Sequence, residues 1–212
     1  MPTILHIESS ARLDGSVSRT LAGEVLERIR LRTPALRVVE RDLGREPLPH
    51  LDDAFVAAMF TPADARSAEQ RRTLARSEAL IAELEAADAV VIGAPMYNFG
   101  PPSALKAWID HIVRARRTFA YGEGGTLVGL VPDRPVVVAV ASGGVYGEGP
   151  GRANDFLVPY LASVLGKIGL KDLRVLRAEG LALGPDAAAA GLARARAAID
   201  GIVPVFPVAR AA

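Results

Sequence analysis

Four serines and one glycine lie between positions 9 and 18, just after the first apolar run of the chain. Serine hydroxyls and the unpaired N–H groups at the start of a helix together form an anion site, which the helix dipole strengthens. The segment contains neither G-x-G-x-x-G nor G-x-x-x-x-G-K-[ST], which disfavours a Rossmann dinucleotide site and an ATPase phosphate loop. Its composition suits a monophosphate that is held and not transferred, although a plain helix cap with a polar turn would have the same composition.

A stiff loop follows the third apolar run, at positions 94–103. Pro95 on one side and Pro101-Pro102 on the other flank the sequence Met96-Tyr97-Asn98-Phe99. An amide and backbone groups can bind the edge of a planar heteroaromatic ring while apolar atoms cover its face. Core packing of the two aromatic residues explains the same composition, so the residue types alone leave both interpretations open.

A third loop, at positions 142–151 after the fourth apolar run, contains five glycines. Glycine lets the backbone approach a ligand closely, so N–H groups of this loop can serve as donors. A flexible surface loop is the structural alternative.

Apolar runs and helical patterns alternate along the whole chain. Each of the three loops therefore follows a predicted strand, and the strands determine where the loops lie. The pattern predicts strands at 4–7, 36–40, 89–93, 136–140 and 173–178, and helices at 19–32, 67–86, 103–115, 154–168 and 187–203, with one short helix in the segment 47–65. Ser103 is the predicted N-cap of its helix and Gly169 the predicted C-cap residue of another. The Ala- and Arg-rich end after Pro204 is expected to pack loosely.

Five unbroken apolar strands alternating with helices are typical of a parallel sheet covered on both faces. Five units are too few for a (β/α)8 barrel, so we predict a doubly wound α/β fold in one domain spanning residues 1–212. In the strand order 2-1-3-4-5, strands one, three and four are neighbours, with a switch point between one and three. The three loops follow those strands, so they are predicted to meet at one ligand site.

Bulk composition excludes several other classes. A net charge of +1 gives no reason to expect nucleic acid or a membrane surface as a partner. The N-terminus reads as a strand and not as a signal peptide, and apolar runs such as 135–141 are far shorter than the ~20 residues of a membrane span. The chain has no cysteine, which excludes disulfides and thiolate sites and fits a reducing cytoplasm.

No metal site is predicted, because none of the three histidines has the spacing of metal ligands. His6 is expected in the core, His50 in solvent, and His111 in a packing or interface position. Trp108, on the same predicted helix as His111, is expected in the core or at an interface.

Several whole motifs resemble those of one known family. The most specific stretch is Ala94-Pro95-Met96-Tyr97-Asn98-Phe99, followed by Pro102, Leu105-Lys106 and Ile109-Asp110. The others are Glu8-Ser9-Ser10 with Ser16 and Ser18, Arg41-Asp42-Leu43, Pro159-Tyr160-Leu161, Gly166, and Ala178-Glu179-Gly180. Through these motifs, and over essentially its whole length, the chain resembles the bacterial FMN-dependent NADH:quinone oxidoreductases and FMN-dependent NADH-azoreductases.

The resemblance implies a flavodoxin-like fold and one FMN per subunit. It assigns the FMN phosphate to Ser10, Ser16, Val17 and Ser18; the isoalloxazine ring to Pro95, Met96, Tyr97, Asn98 and Phe99; and the pyrimidine end of the ring to Ala141, Ser142, Gly143 and Gly144. Some relatives have Ser-Arg-Gly-Gly in the last segment, with a histidine two residues on. Here Tyr146 stands at the histidine-like place; it could hydrogen-bond but would not be cationic at neutral pH.

The resemblance also implies an activity. NADH or NADPH would pass a hydride to the flavin, and a quinone or azo acceptor would then take two electrons from the same face of the flavin. Two-electron reduction of quinones would protect the cell against electrophilic quinones. Such ping-pong chemistry needs no protein nucleophile, so no catalytic residue is predicted beyond Asn98 and Tyr146 as helpers. Arg12 and Arg116 are candidates for contact with a 2′-phosphate of NADPH.

Members of the family are homodimers with the active site at the interface, which implies a homodimer here. The predicted substrate pocket contains Met59, Phe60, Phe119, Tyr121 and Tyr146, with Phe60 or Phe119 reaching the flavin of the partner. Ordinary core packing is the alternative for each aromatic residue.

Two other function classes are alternatives to the reductase. A flavodoxin-type electron carrier without its own reductase activity is the first, but such carriers are usually shorter and strongly acidic. A hydrolase or phosphate-binding module without flavin is the second, and the sequence shows no Ser-His-Asp set to support it.

Overall fold

The computed structural model describes residues 1–206, so the last six residues of the Ala- and Arg-rich end lie outside the described part. Seven strands are described: β1 (Thr3–Glu8), β2 (Arg37–Asp42), β3 (Ala89–Pro95), β4 (Phe119–Tyr121), β5 (Leu127–Gly129), β6 (Val136–Ala141) and β7 (Leu173–Ala178). The helices are α1 (Val17–Arg32), α2 (Asp53–Phe60), α3 (Ala68–Ala86), α4 (Ser103–Ile112), α5 (Val158–Ile168) and α6 (Pro185–Ile202). Short 3₁₀ turns occur at Ala63–Ala65, Glu123–Gly125 and Gly149–Asn154.

Five strands form one parallel sheet in the order β2-β1-β3-β6-β7. The predicted strands one to five are β1, β2, β3, β6 and β7, so the predicted order 2-1-3-4-5 and the doubly wound fold are confirmed. Every residue of β3 and of β6 is buried, which explains why both read as unbroken apolar runs.

Successive residues of the strands face two separate cores. Leu5 and Ile7 of β1 pack with α3, α4 and α5 on one face, whereas Ile4 packs with α1 and α6 on the other. This alternation follows from the period of two in a strand, and it covers the sheet with helices on both sides. The helices thus hold the carboxyl ends of β1, β3 and β6 in one fixed row.

The structure corrects some details of the sequence interpretation. Ser103 is the first residue of α4 and Pro102 occupies the N-cap position, so the predicted cap was wrong. Gly169 caps α5 with a φ of 118°, as predicted. The antiparallel hairpin β4–β5 was not predicted, and α5 begins at Val158 because residues 149–154 form a 3₁₀ turn.

None of the helices within residues 1–206 is both long enough and apolar enough to cross a membrane.

Candidate functional site

The three predicted loops meet at the carboxyl ends of β1, β3 and β6, where they enclose a continuous groove. One part is a cavity of about 230 Å³, and a second cavity of about 200 Å³ shares Met96, Ser142 and Gly143 with it. The residues predicted to bind the cofactor all line one of these two cavities: Ser10, Ser16, Val17, Ser18, Pro95, Met96, Tyr97, Asn98, Phe99, Ala141, Ser142, Gly143 and Gly144. Leu181, which lies beyond β7, also lines the groove and was not predicted.

The end of the groove at α1 has the features expected of an anion site. Ser16 is the N-cap residue of α1, but its hydroxyl makes no capping bond and instead lies 3.2 Å from the Ser18 hydroxyl. The first turn of α1 has no acidic residue, so the positive end of the helix dipole is not neutralised there. Two buried hydroxyls and a helix N-terminus therefore face the same space.

Arg19 and Asp42 brace the loop between β1 and α1. The Arg19 guanidinium donates two hydrogen bonds of 2.7 Å to the Asp42 carboxylate and a further one of 2.9 Å to the carbonyl of Ser10. Hydrogen bonding from Arg19 holds the pKa of the Asp42 carboxyl below its ordinary value. Gly44 fits tightly into this arrangement, since a Cβ on it would lie 2.3 Å from the Ser10 carbonyl oxygen.

The loop after β3, which we call the ring loop (residues 95–99), has an unusual backbone. Asn98 and Phe99 both have positive φ angles, of 47° and 72°. Asparagine tolerates this region, but for phenylalanine it is strained, and such strain occurs most often at functional sites. Two backbone hydrogen bonds between Tyr97 and Gly100 close the turn, and the Phe99 carbonyl accepts a third from Phe156.

The segment 141–147, which we call the glycine loop, is bonded through three of its carbonyl groups to the chain that follows β7. The carbonyls of Ser142, Gly143 and Gly144 accept hydrogen bonds from the N–H groups of residues 181, 182 and 180. No group in the described part of the chain accepts a bond from the N–H of Gly143 or Gly144. These two N–H groups are therefore available to a ligand.

Tyr146 packs over the glycine loop and faces the ring loop. A Cβ on Gly144 would lie 2.8 Å from the Tyr146 hydroxyl, so a larger residue there would displace the Tyr146 ring. The Tyr146 and Phe99 rings meet edge to face, with centroids 5.9 Å apart and planes at 88°. This pair borders the second cavity of the groove.

Four of the five predicted pocket residues lie outside the groove of a single chain. Met59 packs on a small cluster around Phe55, whereas Phe60 is 68% exposed. Phe119 and Tyr121 contact each other on the hairpin, with ring centroids 5.7 Å apart, and Tyr121 is 70% exposed. Of the five, only Tyr146 lines the groove.

The two arginines considered for a 2′-phosphate lie apart. Arg12 lines the groove, whereas Arg116 lines a separate cavity with Arg66, Arg114 and Arg117. The structure thus does not bring Arg12 and Arg116 to one site.

The histidines lie away from the groove. His111 and Trp108 are buried, and the His111 Nε2 lies 3.0 Å from the carbonyl oxygen of Pro49. Burial lowers the pKa of His111. His6 is mostly buried beside Glu8, with 2.9 Å between Nε2 and Oε1, and His50 is exposed.

Comparison with known proteins gives consistent matches over nearly the whole chain. Residues 2–203 match a family described by its flavodoxin-like fold. An FMN-dependent NADH:quinone oxidoreductase of Paraburkholderia phymatum is 53% identical over 199 residues, covering 94% of this chain and 98% of that protein. The FMN-dependent NADH:quinone oxidoreductase 3 of Pseudomonas aeruginosa is 48% identical over 196 residues, covering 92% of this chain and 90% of that protein.

Solved structures agree with these matches. An azoreductase of Bacillus anthracis superposes with a TM-score of 0.83 at 30% identity, covering 95% of this chain and all of that one. An FMN-dependent NADH-azoreductase of the same species, solved in complex with FMN, has the same TM-score at 25% identity and covers 96% of this chain and all of that one.

Proposed function

Because this chain belongs to the family of FMN-dependent NADH:quinone oxidoreductases, we propose that its groove holds FMN and that the residues lining it carry the reaction. The protein is an FMN-dependent oxidoreductase that uses NADH to reduce quinones and azo compounds. The observation that supports this assignment is that the three loops meet at one groove. Within the described residues, hydrogen-bond donors without a protein acceptor lie at the start of α1 and at Gly143 and Gly144.

The residues present fit FMN at each end of the groove. The uncapped start of α1, with the Ser16 and Ser18 hydroxyls and no acid nearby, suits the phosphate. The free N–H groups of Gly143 and Gly144 suit a ring edge that carries hydrogen-bond acceptors. Bound FMN supplies the two-electron chemistry, which no side chain of the protein can provide.

At the phosphate end, the protein's task is binding without transfer. Ser10, Ser16 and Ser18 offer hydroxyls, and Val17 lies at the first position of α1, where its N–H is one of the free donors of the helix start. The Arg19–Asp42 brace fixes the path of the loop, so these donors are held in place before the ligand arrives. Preorganisation of this kind reduces the entropy that binding costs.

At the ring end, the protein holds a flat group and stabilises negative charge. Met96 and Tyr97 would supply apolar surface to the ring, and the Asn98 amide would bond to its edge. With the pyrimidine end of the ring at the glycine loop, the N–H groups of Gly143 and Gly144 would donate to it, and fixed donors stabilise negative charge strongly in a site that excludes water. Tyr146 offers a hydroxyl beside the second cavity.

A homodimer would complete the substrate pocket. Phe60, Tyr121 and the hairpin residues Leu127 and Val128 leave apolar surface exposed on one chain. Large apolar surface of this kind is typical of interaction sites, and a second copy would bring Met59, Phe60, Phe119 and Tyr121 against a groove they do not reach alone. Light scattering on the FMN-loaded protein should show a dimer, and Phe60→Asp should weaken it. A wild-type monomer would contradict the proposal.

The cytoplasm is the proposed location, because NADH is the donor named for the relatives and is a reductant of that compartment. Cell fractionation tests this, and activity in a membrane or secreted fraction would contradict it.

The decisive experiment follows the flavin spectrum and NADH together. The purified protein should be yellow, bleach when NADH is added and regain its colour with menadione, which keeps NADH consumption going. Protein loaded with FMN that leaves NADH untouched in the presence of menadione would exclude the reductase and favour an electron carrier. Reductive cleavage of an azo dye, followed by loss of its colour, tests the second acceptor class.

A further inference from the structure

The glycine loop is held from behind by a buried carboxylate. Glu179, directly after β7, is 8% exposed. Its Oε1 accepts hydrogen bonds from the backbone N–H groups of Tyr146 (3.0 Å) and Gly147 (2.8 Å). Since one carboxylate oxygen receives two consecutive N–H groups, it fixes the path of the chain at Tyr146. Glu179 thus holds the backbone from which the Tyr146 ring projects.

The ring loop is held from behind by a second buried carboxylate. Asp155 is 7% exposed, and its Oδ1 accepts hydrogen bonds of 3.0 Å from the N–H groups of Leu157 and Val158 at the start of α5. The residue between, Phe156, donates its own N–H to the Phe99 carbonyl at 3.0 Å. Asp155 therefore fixes the segment 156–158, which is hydrogen-bonded through Phe156 to the strained Phe99.

Arg177 of β7 joins the two carboxylates. Its guanidinium donates to Asp155 Oδ2 at 2.6 Å and to Glu179 Oε1 at 3.3 Å. A planar guanidinium has several N–H groups in fixed directions, so it can span two carboxylates with defined geometry. Gly147 leaves room for this bridge, because a Cβ there would lie 3.0 Å from both Arg177 Cδ and Glu179 Oε2.

We propose that Arg177 is a positioning residue for the electron acceptor: by joining Asp155 to Glu179 it sets the placement of Phe99 and Tyr146, and so determines how flat aromatic acceptors fit the open side of the groove. The inference rests on the proposed function, because it concerns the same groove. The Phe99–Tyr146 pair borders the second cavity, and each ring belongs to a loop that one end of the bridge holds. A quinone ring that enters there must match the spacing of the two rings.

The test compares three variants. Arg177→Leu removes the bridge, and Arg177→Lys keeps the positive charge between the carboxylates but loses the planar fork. Arg174→Leu is the matched control, since Arg174 lies on the same strand, pairs through two hydrogen bonds with Asp172 and lies at the end of β7 remote from the loops.

The first readout is amide hydrogen exchange on the protein without FMN. In Arg177→Leu, exchange in residues 142–157 should be at least tenfold faster than in wild type, with β1 and β3 unchanged. Arg177→Lys should fall between the two, and Arg174→Leu should match wild type in this segment. Equal loss of protection throughout the sheet would show a general structural role and overturn the proposal.

The second readout is steady-state kinetics with menadione on the FMN-loaded enzymes. Arg177→Leu should raise the KM for menadione at least fivefold while kcat stays within twofold, and Arg177→Lys should restore part of the loss. A KM equal to that of Arg174→Leu would overturn the proposal, even if exchange had changed. If the wild type fails to bind FMN or to oxidise NADH, the proposed function fails instead, and the exchange data still test the bridge.

Discussion

Replacing Gly44 by alanine should loosen the phosphate end of the groove. Gly44 packs against the loop after β1, and an added Cβ would lie 2.3 Å from the Ser10 carbonyl oxygen and 2.6 Å from Arg19 Nη2. Ordinary contact begins near 3.4 Å, so the backbone of Ser10 would have to move by about 1 Å. That movement strains the hydrogen bond from Arg19 to the Ser10 carbonyl and shifts the loop that carries the Ser10 hydroxyl.

The size of the effect follows from opposing contributions. Inserting a methyl group into a close-packed site costs about 1–3 kcal/mol, and a weakened charged hydrogen bond adds to this. Alanine restricts the unfolded chain, which offsets about 0.4–1 kcal/mol. We therefore expect Gly44→Ala to lower the free energy of unfolding by about 1–2 kcal/mol. A comparable loss in binding energy corresponds to roughly tenfold weaker FMN binding, since about 1.4 kcal/mol is a factor of ten.

Urea unfolding of the protein without FMN measures the first quantity, and titration of FMN fluorescence measures the second. Gly23→Ala is the matched control, because a Cβ on Gly23 in α1 meets nothing within 4 Å. It should stabilise the helix by about 0.5–1 kcal/mol and leave FMN binding unchanged. If Gly44→Ala binds FMN as tightly as wild type, the brace does not position the phosphate loop.

Three further predictions concern single side chains. Ser16→Asp should weaken FMN binding at least tenfold, because like charges about 4 Å apart repel by up to about 4 kcal/mol near a protein surface; Ser16→Asn is the neutral control, and fluorescence titration that finds no difference between them removes Ser16 from the phosphate site. Asn98→Ala should weaken FMN binding or slow flavin reduction by NADH several-fold, measured by titration and stopped-flow absorbance; Asn98→Gly tolerates the positive φ and should show the same loss if the amide is responsible, whereas wild-type behaviour of Asn98→Gly would assign the effect to the backbone. Burial lowers the pKa of His111, so protonation is disfavoured in the folded state, and stability should fall as the pH drops from the ordinary histidine value of about 6.5 through the lower folded value. His111→Gln should flatten the urea midpoint between pH 7.5 and 5, and an unchanged slope would refute this assignment.

The sheet could be predicted because its strands obey a simple physical constraint. Strands covered on both faces must be apolar throughout, so β3 and β6 appear in the sequence as continuous runs. The hairpin β4–β5 has strands of only three residues, with two of the three residues of β5 exposed, and leaves no such pattern. Serine is a common N-cap residue, which is why Ser103 was predicted to cap α4. The helix begins at Ser103 itself, one residue earlier than a cap at Ser103 would require.

The groove could be predicted to the extent that its residues are contiguous in sequence. Each loop directly follows a strand, so membership in the site follows from sheet order. Leu181 enters because the chain after β7 hydrogen-bonds to Ser142, which only the folded register shows. The Arg19–Asp42 and Arg177–Asp155 pairs join residues 23 and 22 positions apart, and nothing local marks them.

The predicted substrate-pocket residues could not be tested on a single chain. Met59, Phe60, Phe119 and Tyr121 were proposed through resemblance to a dimeric family, and one chain does not bring them to the groove. Their assignment depends on a second copy, so it stays a prediction.

The strand order also determines at which stage of folding the FMN site exists. The proposed FMN site needs β1, β3 and β6 side by side, and β1 pairs Ile4 with Ala89, 85 positions later in the chain. Contacts so distant in sequence form slowly, because a long loop must close first. During synthesis, the binding surface is therefore absent until the glycine loop has been made and the sheet has assembled. FMN that binds the assembled site stabilises the folded protein by mass action, by about 2.7 kcal/mol at a free concentration of one hundred times its Kd.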